Sequence, residues 1–264
     1  MINTISFPNL NLSFNINRAA VTIGGFSVYW YGILIALGIV IAFVYAYCQC
    51  KKAGLDTDHL INMVLFALPV AIICARAYYV IFNFDLYRDD LWSIFDIRSG
   101  GIAIYGGIIG TLIVLVIYCR KKRLNIGTVL DILAIGLLIG QAVGRWGNFV
   151  NGEAFGGATS LPWAMSVERS GKVIASMVHP TFLYESLWNG LGIAVLLFYR
   201  RFKTFEGEEF CGYMIWYGIG RAMIEGLRAD SLYIGSLRVS QILSILAVIT
   251  GIVLIVYFRK KKRV

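Results

Sequence analysis

Charged residues are scarce in this chain of 264 residues: they make up 15% of the sequence, whereas 58% of it is hydrophobic. So little charge argues against a soluble globule, and long apolar segments separated by short basic clusters are typical of a polytopic membrane protein. The net charge of +9 resides mainly in those clusters. Because membrane topology accounts for basic clusters at the ends of apolar segments, we expect no nucleic-acid partner.

Residues that build metal and nucleophile sites are also few. The chain has two histidines, His59 and His179, and five cysteines, which lie in apolar segments or beside the basic clusters. Cys48 and Cys50 are one residue apart and have no partner pair, so we interpret the cysteines as small buried hydrophobic side chains. The chain lacks the Gly-x-Ser-x-Gly, His-Glu-x-x-His and phosphate-loop motifs. We therefore expect no metal site, and the familiar hydrolase, metalloprotease and nucleotide-binding functions have no support in the sequence.

Basic residues are missing from the first seventeen positions, which argues against a cleavable signal peptide. Seven apolar segments reach the length of about twenty residues that a transmembrane helix needs. They lie at 22–48, 60–82, 101–119, 127–146, 181–199, 210–227 and 238–258. The sequence therefore predicts an all-α fold: a single integral membrane domain over residues 1–264, with seven transmembrane helices and an external head region at 147–180.

The basic clusters predict the orientation of these spans. They occur at every second turn, at Lys51, Lys52, Arg120, Lys121, Lys122, Arg123, Arg200, Arg201 and Lys203 and at all five positions of 259–263. Since such clusters face the cytoplasm, the amino terminus is expected outside and the carboxyl terminus inside. The cations assigned to the outer side are Arg18, Arg88, Arg98, Arg169, Lys172, Arg228 and Arg238.

The densest group of polar side chains follows the fourth apolar segment, in the sequence GRWGNFVNGEAFGG at 144–157. It brings together Arg145, Asn148, Asn151 and Glu153. Polar groups beside a membrane span require a purpose other than solvation. We interpret this stretch as the rim of an active site.

A second polar stripe lies in the sixth apolar segment, where Tyr217, Arg221, Glu225 and Arg228 share one helical face. Placing a guanidinium inside a span costs about 2.5–3.5 kcal/mol. One interpretation is an ion pair with Glu225 that lets the helix sit in the bundle. The other is that Arg221 joins Arg145 in bidentate binding of the phosphate of an outer-leaflet lipid.

Four further features each have two interpretations. Arg76 is either a third headgroup contact or a snorkelling anchor, and Tyr31 either offers a hydroxyl at membrane depth or packs in an aromatic belt. His179 is either a base near neutral pH or a structural cap. The glycine-rich segment 100–107 either offers amides to an anion or lets helices pack closely.

The segment from Gly144 to Glu153 resembles the signature Gly-Arg-x-Gly-Asn-Phe-x-Asn-x-Glu of bacterial prolipoprotein diacylglyceryl transferases. Similar segments occur at 30–32, 100–107, 179–185 and 220–228. The resemblance implies an enzyme of the bacterial cell membrane that transfers the diacylglyceryl group of phosphatidylglycerol to the lipobox cysteine of preprolipoprotein signal peptides, releasing glycerol 1-phosphate. It implies no cofactor.

The resemblance also implies roles for individual residues. Arg145 and Arg221 would bind the phosphate, Asn148 and Glu153 would orient the headgroup or the cysteine, and Tyr31 and Tyr217 would line the cavity. Further substrate contacts are assigned to Asn151, Arg76, Arg228 and Gly156.

This chain departs from the family pattern at one position, since many members carry a histidine where it has Tyr105. A tyrosine with a pKa of about 10 is a poor base. We therefore expect the field of Arg145 and Arg221 to favour the cysteine thiolate, with Tyr105 positioning groups and His179 or Glu153 accepting the proton.

Two other classes of protein use similar features. A transporter of anionic solutes would show solute flux without modifying lipid. A scaffold without catalysis would be indifferent to Arg145→Ala.

Overall fold

The computed structural model describes residues 2–96, 100–229, 233–235 and 237–263, so the predicted outer cation Arg98 lies outside the described part. The helices are α1 (Trp30–Lys52), α2 (Thr57–Phe82), α3 (Ile104–Lys122), α4 (Ile126–Asn151), α5 (Thr181–Tyr199), α6 (Glu208–Glu225) and α7 (Val239–Arg263). Each predicted span corresponds to one of these helices. The chain is therefore mostly helical.

Six helices of the described residues, all except α6, are long and apolar enough to cross a membrane. Helix α6 has 18 residues and carries Glu208, Glu209, Arg221 and Glu225, so it has no apolar stretch of spanning length with few charges. The helices thus agree with a polytopic membrane protein, with six spans recognised by length and composition.

The prediction of an all-α fold is incomplete, because the structure also contains strands. Strands β1 (Ile2–Phe7), β2 (Leu12–Asn17), β5 (Met165–Arg169) and β6 (Lys172–Val178) form an antiparallel sheet in the order β2-β1-β5-β6. Strands β3 (Ala19–Ile23) and β4 (Phe26–Tyr29) pair in a hairpin, as do β7 (Tyr233–Ile234) and β8 (Leu237–Arg238).

Two predicted span boundaries are corrected by these elements. The first span was expected to begin at residue 22, but residues up to Tyr29 belong to the β3–β4 hairpin and α1 begins at Trp30. Hydropathy alone does not separate a short apolar strand from the start of a helix. The fourth span was expected to end at 146, but α4 continues to Asn151. Asn148 and Asn151 are therefore helical residues.

The chain divides into two compact units, one made of residues 1–46 and 130–264 and the other of residues 47–129. In the first unit the four-stranded sheet packs against the start of α5: Ile5, Val167 and Phe182 are buried in one apolar cluster. Asn3 of β1 donates a hydrogen bond from Nδ2 to the Val150 carbonyl of α4, at 2.9 Å. The sheet is thereby attached to the ends of α4 and α5.

The opposite ends of the helices in this unit are joined by ion pairs. Asp131 of α4 accepts hydrogen bonds from Gly207 N at 2.8 Å and Phe210 N at 3.0 Å, and Lys203 Nζ lies 3.1 Å from its Oδ2. Burial opposes the charge on Lys203, but Glu206 and Asp131 outweigh it and raise its pKa. Because the buried carboxylate has partners, its desolvation cost is offset and the register of α4 against α6 is set.

In the second unit α2 and α3 pack closely along a glycine face of α3. A Cβ added to Gly106 would lie 2.3 Å from the Cys74 carbonyl oxygen and 2.8 Å from Ala75 Cα, whereas one added to Gly107 would make only ordinary contacts of 3.7 Å or more. At the other end of the pair, His59 Nδ1 lies 3.0 Å from the Tyr118 hydroxyl. Gly106 therefore sets the distance between the two helices.

This contact predicts a difference between neighbouring glycines. Gly106→Ala is expected to destabilise the protein by about 1–3 kcal/mol, since backbone atoms must move to admit the methyl group. Gly107→Ala is the matched control and is expected to be near neutral. Thermal unfolding of the detergent-solubilised variants measures both effects, and equal melting temperatures for the two would contradict the prediction.

Candidate active site

The two arginines expected to bind one anion contact the same buried carboxylate. Arg145 of α4 places Nη2 2.5 Å from Glu185 Oε2, and Arg221 of α6 places Nη1 2.8 Å from Glu185 Oε1. The arginine side chains are 22% and 16% exposed, whereas that of Glu185, on α5, is 4% exposed. Both guanidiniums are therefore held by one buried anion and remain partly accessible themselves.

Glu225 and Arg228 complete this group. Arg221 Nη2 lies 2.6 Å from Glu225 Oε2, one helical turn further along α6, and Arg228 Nη1 lies 3.6 Å from Glu185 Oε1. We call Arg145, Arg221, Arg228, Glu185 and Glu225 the arginine cluster. Its three guanidiniums exceed its two carboxylates by one charge, which suits an added anion such as a phosphodiester.

Helix geometry explains why these side chains meet. Arg221 and Glu225 are four residues apart on α6 and so lie on one face. Arg145 is near the carboxyl end of α4 and Glu185 near the amino end of α5. Consecutive helices that pack antiparallel bring those two ends together, which places the cluster at one end of the bundle.

A chain of hydrogen bonds leads away from the cluster through Asn148 and Glu153. Arg145 Nη1 donates to Asn148 Oδ1 at 3.4 Å, and Asn148 Nδ2 donates to Glu153 Oε1 at 3.3 Å. Asn151 Nδ2 donates to the same carboxylate oxygen at 3.1 Å, and Arg18 Nε donates to Asn151 Oδ1 at 3.3 Å. Glu153 therefore orients both amides, one of which contacts Arg145.

A cavity of about 780 Å³ adjoins the far end of this series of hydrogen bonds. It lies between the β3–β4 hairpin and the start of α1. Arg18, Tyr31 and Asn151 are among its lining residues. The Tyr31 ring packs on the backbone of α4, since a Cβ at Gly147 would lie 2.7 Å from Tyr31 Cδ2. Tyr31 thus lines this cavity and contacts α4.

Gly156 joins three segments through its backbone. Its N–H donates to the His179 carbonyl at 2.9 Å, and the next residue, Gly157, donates to the Leu227 carbonyl at 2.8 Å. A Cβ at Gly156 would lie 2.7 Å from His179 Cβ and 2.8 Å from the Leu227 oxygen. The strand-like pairing of Gly156 with Arg228 therefore helps to place Arg228 at the cluster.

Gly156→Ala is therefore expected to lower both the melting temperature and the activity, because the methyl group forces Leu227 and Arg228 to shift. Gly157→Ala is its control, since an added Cβ there would lie 3.9 Å from the Leu227 oxygen and no closer to any other described residue. Thermal unfolding and specific activity are measured on both variants. The prediction fails if Gly156→Ala retains the melting temperature and activity of Gly157→Ala.

The structure gives His179 a side-chain partner that is not a member of the arginine cluster. Its Nδ1 lies 3.3 Å from the Tyr184 hydroxyl, which in turn accepts a hydrogen bond from Trp163 Nε1 at 2.7 Å.

Tyr217 of α6 stacks on Tyr213, with ring centroids 5.7 Å apart, one turn before Arg221. Tyr217 is therefore beside the cluster along the helix.

Arg76 and Tyr105 belong to the second unit. Arg76 is buried and donates to four carbonyl oxygens, those of Ser93, Ile94, Gly100 and Gly101, at 2.7–2.9 Å. These bonds hold residues 93–94 and 100–101 against α2, and they differ from both sequence interpretations. The Tyr105 ring lies 6.4 Å from that of Tyr78.

Sequence reasoning did not single out Glu185 as the centre of the cluster. Its signal was present, because a carboxylate inside an otherwise apolar span requires a cationic partner. Only the structure shows that it has several, on α4, on α6 and just beyond α6.

The apolar helices and the arginine cluster together define a polytopic membrane protein with a partly buried site suited to an anion. The chain matches the family described as prolipoprotein diacylglyceryl transferase over residues 18–257. It belongs to that family.

Curated relatives agree with this assignment. A protein of Clostridioides difficile strain 630 is 44% identical over 247 residues, which cover 94% of this chain and 97% of that protein. One of Finegoldia magna is 46% identical, covering 93% and 97%, and one of Listeria monocytogenes serotype 4b is 44% identical, covering 93% and 91%. All three are named phosphatidylglycerol–prolipoprotein diacylglyceryl transferase.

Proposed function

We propose that this chain transfers the diacylglyceryl group of phosphatidylglycerol to the thiol of the lipobox cysteine in preprolipoprotein signal peptides, releasing glycerol 1-phosphate. Family membership and the names of its relatives support this step of lipoprotein maturation. The structural observation that carries the mechanism is the contact of Arg145 and Arg221 with the two oxygens of Glu185.

The arginine cluster binds the phosphate of the lipid. A guanidinium has five N–H donors, so Arg145 and Arg221 retain donors beyond those directed at Glu185. The planar fork of each side chain matches two oxygens of a phosphate. Glu185 holds the two guanidiniums in place before the lipid arrives, which reduces the cost of organising them during the reaction.

The reaction is a substitution at carbon. The cysteine thiolate attacks the glycerol carbon that carries the phosphate; a C–S bond forms and the C–O bond to the phosphate breaks. Glycerol 1-phosphate leaves with the bonding electron pair, and its negative charge increases as it departs. Because Arg145 and Arg221 are already directed at that phosphate, they bind the transition state more tightly than the bound lipid.

The thiol proton passes to Glu153 or His179, and Tyr105 positions the reacting groups. Glu153 has the closer link to the cluster, through Asn148. The pH dependence of transfer by Glu153→Gln and His179→Gln separates the two, since loss of the acceptor removes the acidic limb of the profile. Asn151, Tyr31, Tyr217, Arg228 and Gly156 complete the proposed set of substrate-binding residues. Arg76 is left out of it, because its guanidinium is buried and donates to carbonyl oxygens of the protein.

The proposal includes a topology. Helix α6 is the seventh span, the residues from the end of α4 to 180 form an external head, and the whole chain is one integral membrane domain of the bacterial cell membrane. The amino terminus is outside and the carboxyl terminus in the cytoplasm, which the basic clusters after α1, α3, α5 and α7 support. Labelling of single cysteines by a membrane-impermeant reagent tests each assignment.

The function is tested with purified protein, phosphatidylglycerol labelled in its acyl chains and a synthetic lipobox peptide. The expected result is label on the cysteine and release of glycerol 1-phosphate. A peptide with serine in place of that cysteine is the control. Absence of labelled peptide under conditions where a related transferase is active would refute the proposal.

A further inference from the structure

Two amide side chains lie one helical turn deeper in the bundle than the arginine cluster. Gln141 precedes Arg145 by four residues on α4, and Asn189 follows Glu185 by four residues on α5. Since a helix rises 1.5 Å per residue, each amide lies about 6 Å from the cluster along its helix axis. Helix α4 ends near the cluster and α5 begins there. The residue four before Arg145 and the residue four after Glu185 therefore both lie on the side of the cluster that faces the interior of the bundle.

Asn189 lies on the face of α5 that contacts α4 and α6. On the same stripe, Glu185 contacts Arg145 and Arg221, and a Cβ at Gly192 would meet Trp216 at 2.4 Å and Leu138 at 3.2 Å. Asn189 falls between these two positions and is 2% exposed. Its side chain is therefore enclosed by the bundle.

Both amides contain a buried polar atom that has no hydrogen-bond partner among the residues that the structure describes: Nδ2 of Asn189 and Oε1 of Gln141. An unpaired buried polar atom destabilises a protein by about 1–3 kcal/mol, and such atoms are uncommon. Two of them in one layer beside a candidate active site indicate that the layer receives polar groups of a ligand.

Gln141 has two possible orientations toward α6. Its Nε2 lies 2.9 Å from the Tyr213 hydroxyl, and a phenol both donates and accepts hydrogen bonds. With the amide turned over, Oε1 accepts from Tyr213 and the NH₂ group becomes available to a ligand. In that orientation Gln141 and Asn189 each present an N–H donor.

We infer that Gln141 and Asn189 bind the two ester carbonyl oxygens of the diacyl lipid whose phosphate is held by the arginine cluster. This inference rests on the proposed function. In a phospholipid the ester carbonyls lie a few covalent bonds from the phosphate, on its hydrocarbon side. The two amides have the matching position in the protein, one helical turn from the guanidiniums and deeper in the bundle. The two carbonyl oxygens only accept hydrogen bonds, so they match the two N–H donors that Gln141 and Asn189 present. The layer thereby selects diacyl lipids over lipids with ether-linked chains.

The test compares two donor lipids that share the phosphate, the headgroup and the chain length. One is diester phosphatidylglycerol, and the other is its diether analogue, which lacks both carbonyls. For the unmodified protein the apparent KM for transfer is expected to be about tenfold higher with the diether lipid, from the loss of two hydrogen bonds. Asn189→Leu is expected to reduce that ratio to about threefold, as is Gln141→Met.

The ratio of the two apparent KM values is measured on one sample of each variant. A lower folded fraction in a variant affects both measurements equally and therefore does not change the ratio. Leu187→Ala is the matched control, because Leu187 is on the same helix and 63% exposed; it should retain the tenfold ratio. A ratio near one in the unmodified protein, or an unchanged ratio in both amide variants, would overturn the inference and show that water or protein groups satisfy these amides.

Lipid-induced shifts of the melting temperature separate this inference from the proposed function. If the unmodified protein transfers nothing but is stabilised more by the diester than by the diether lipid, the function fails and the carbonyl site stands. If it transfers both lipids equally well, the function stands and the carbonyl site fails.

Discussion

Arg145→Gln is expected to reduce kcat/KM for diacylglyceryl transfer by about a hundred- to a thousandfold, the effect of removing one preorganised donor group from a transition-state charge. Arg145 contacts Glu185 at 2.5 Å and Asn148 at 3.4 Å, so the substitution removes a charge and a positioning contact together. Transfer from labelled phosphatidylglycerol to a lipobox peptide measures the loss.

Arg145→Lys is the informative control, because it keeps the charge and removes the planar fork. We expect it to recover only a small part of the activity, since a lysine does not contact two phosphate oxygens in fixed geometry. Activity of Arg145→Lys equal to that of the unmodified protein would show that charge alone is sufficient. Activity of Arg145→Gln within a few-fold of normal would exclude Arg145 from the reaction.

Glu185→Gln is expected to destabilise the protein by about 3–5 kcal/mol, the usual result of removing one partner from a buried ion pair. The substitution leaves the guanidiniums of Arg145, Arg221 and Arg228 with a single carboxylate in the cluster, Glu225. Thermal unfolding in detergent measures the loss of stability. Because an anion supplies the missing charge, phosphatidylglycerol should raise the melting temperature of this variant more than that of the unmodified protein.

A double-substitution cycle isolates the Glu185–Arg221 pair. Arg221→Gln combined with Glu185→Gln should be less destabilising than the sum of the single changes, because the second substitution removes a charge that the first left unpaired. Glu209→Gln provides a comparison, as Glu209 is also buried but pairs with Arg200 away from the site, at 2.8 Å. A Glu185→Gln variant as stable as the unmodified protein, and with no added response to lipid, would contradict the role given to Glu185.

The helices were predictable because hydropathy over about twenty residues is a local property. The prediction failed where local signals are ambiguous: residues 22–29 are apolar enough for a span but pair as a hairpin, and Asn148 and Asn151 are polar enough for a loop but extend α4. The sheet that joins β1 to β5 connects segments about 160 residues apart in the chain, as in the pairing of Asn3 with Arg169. No local pattern specifies such a pairing.

By itself the sequence determined that the chain is a membrane protein with arginines in its spans, because hydrophobic length and the cost of a buried charge can be judged one segment at a time. Its motif at 144–153 also indicated the family. Only the tertiary structure decided which carboxylate the arginines share, that Arg76 binds loop carbonyls, and that two amides lie beneath the cluster. The physical reason is that an ion pair or a hydrogen bond depends on distance and direction between helices, which packing sets.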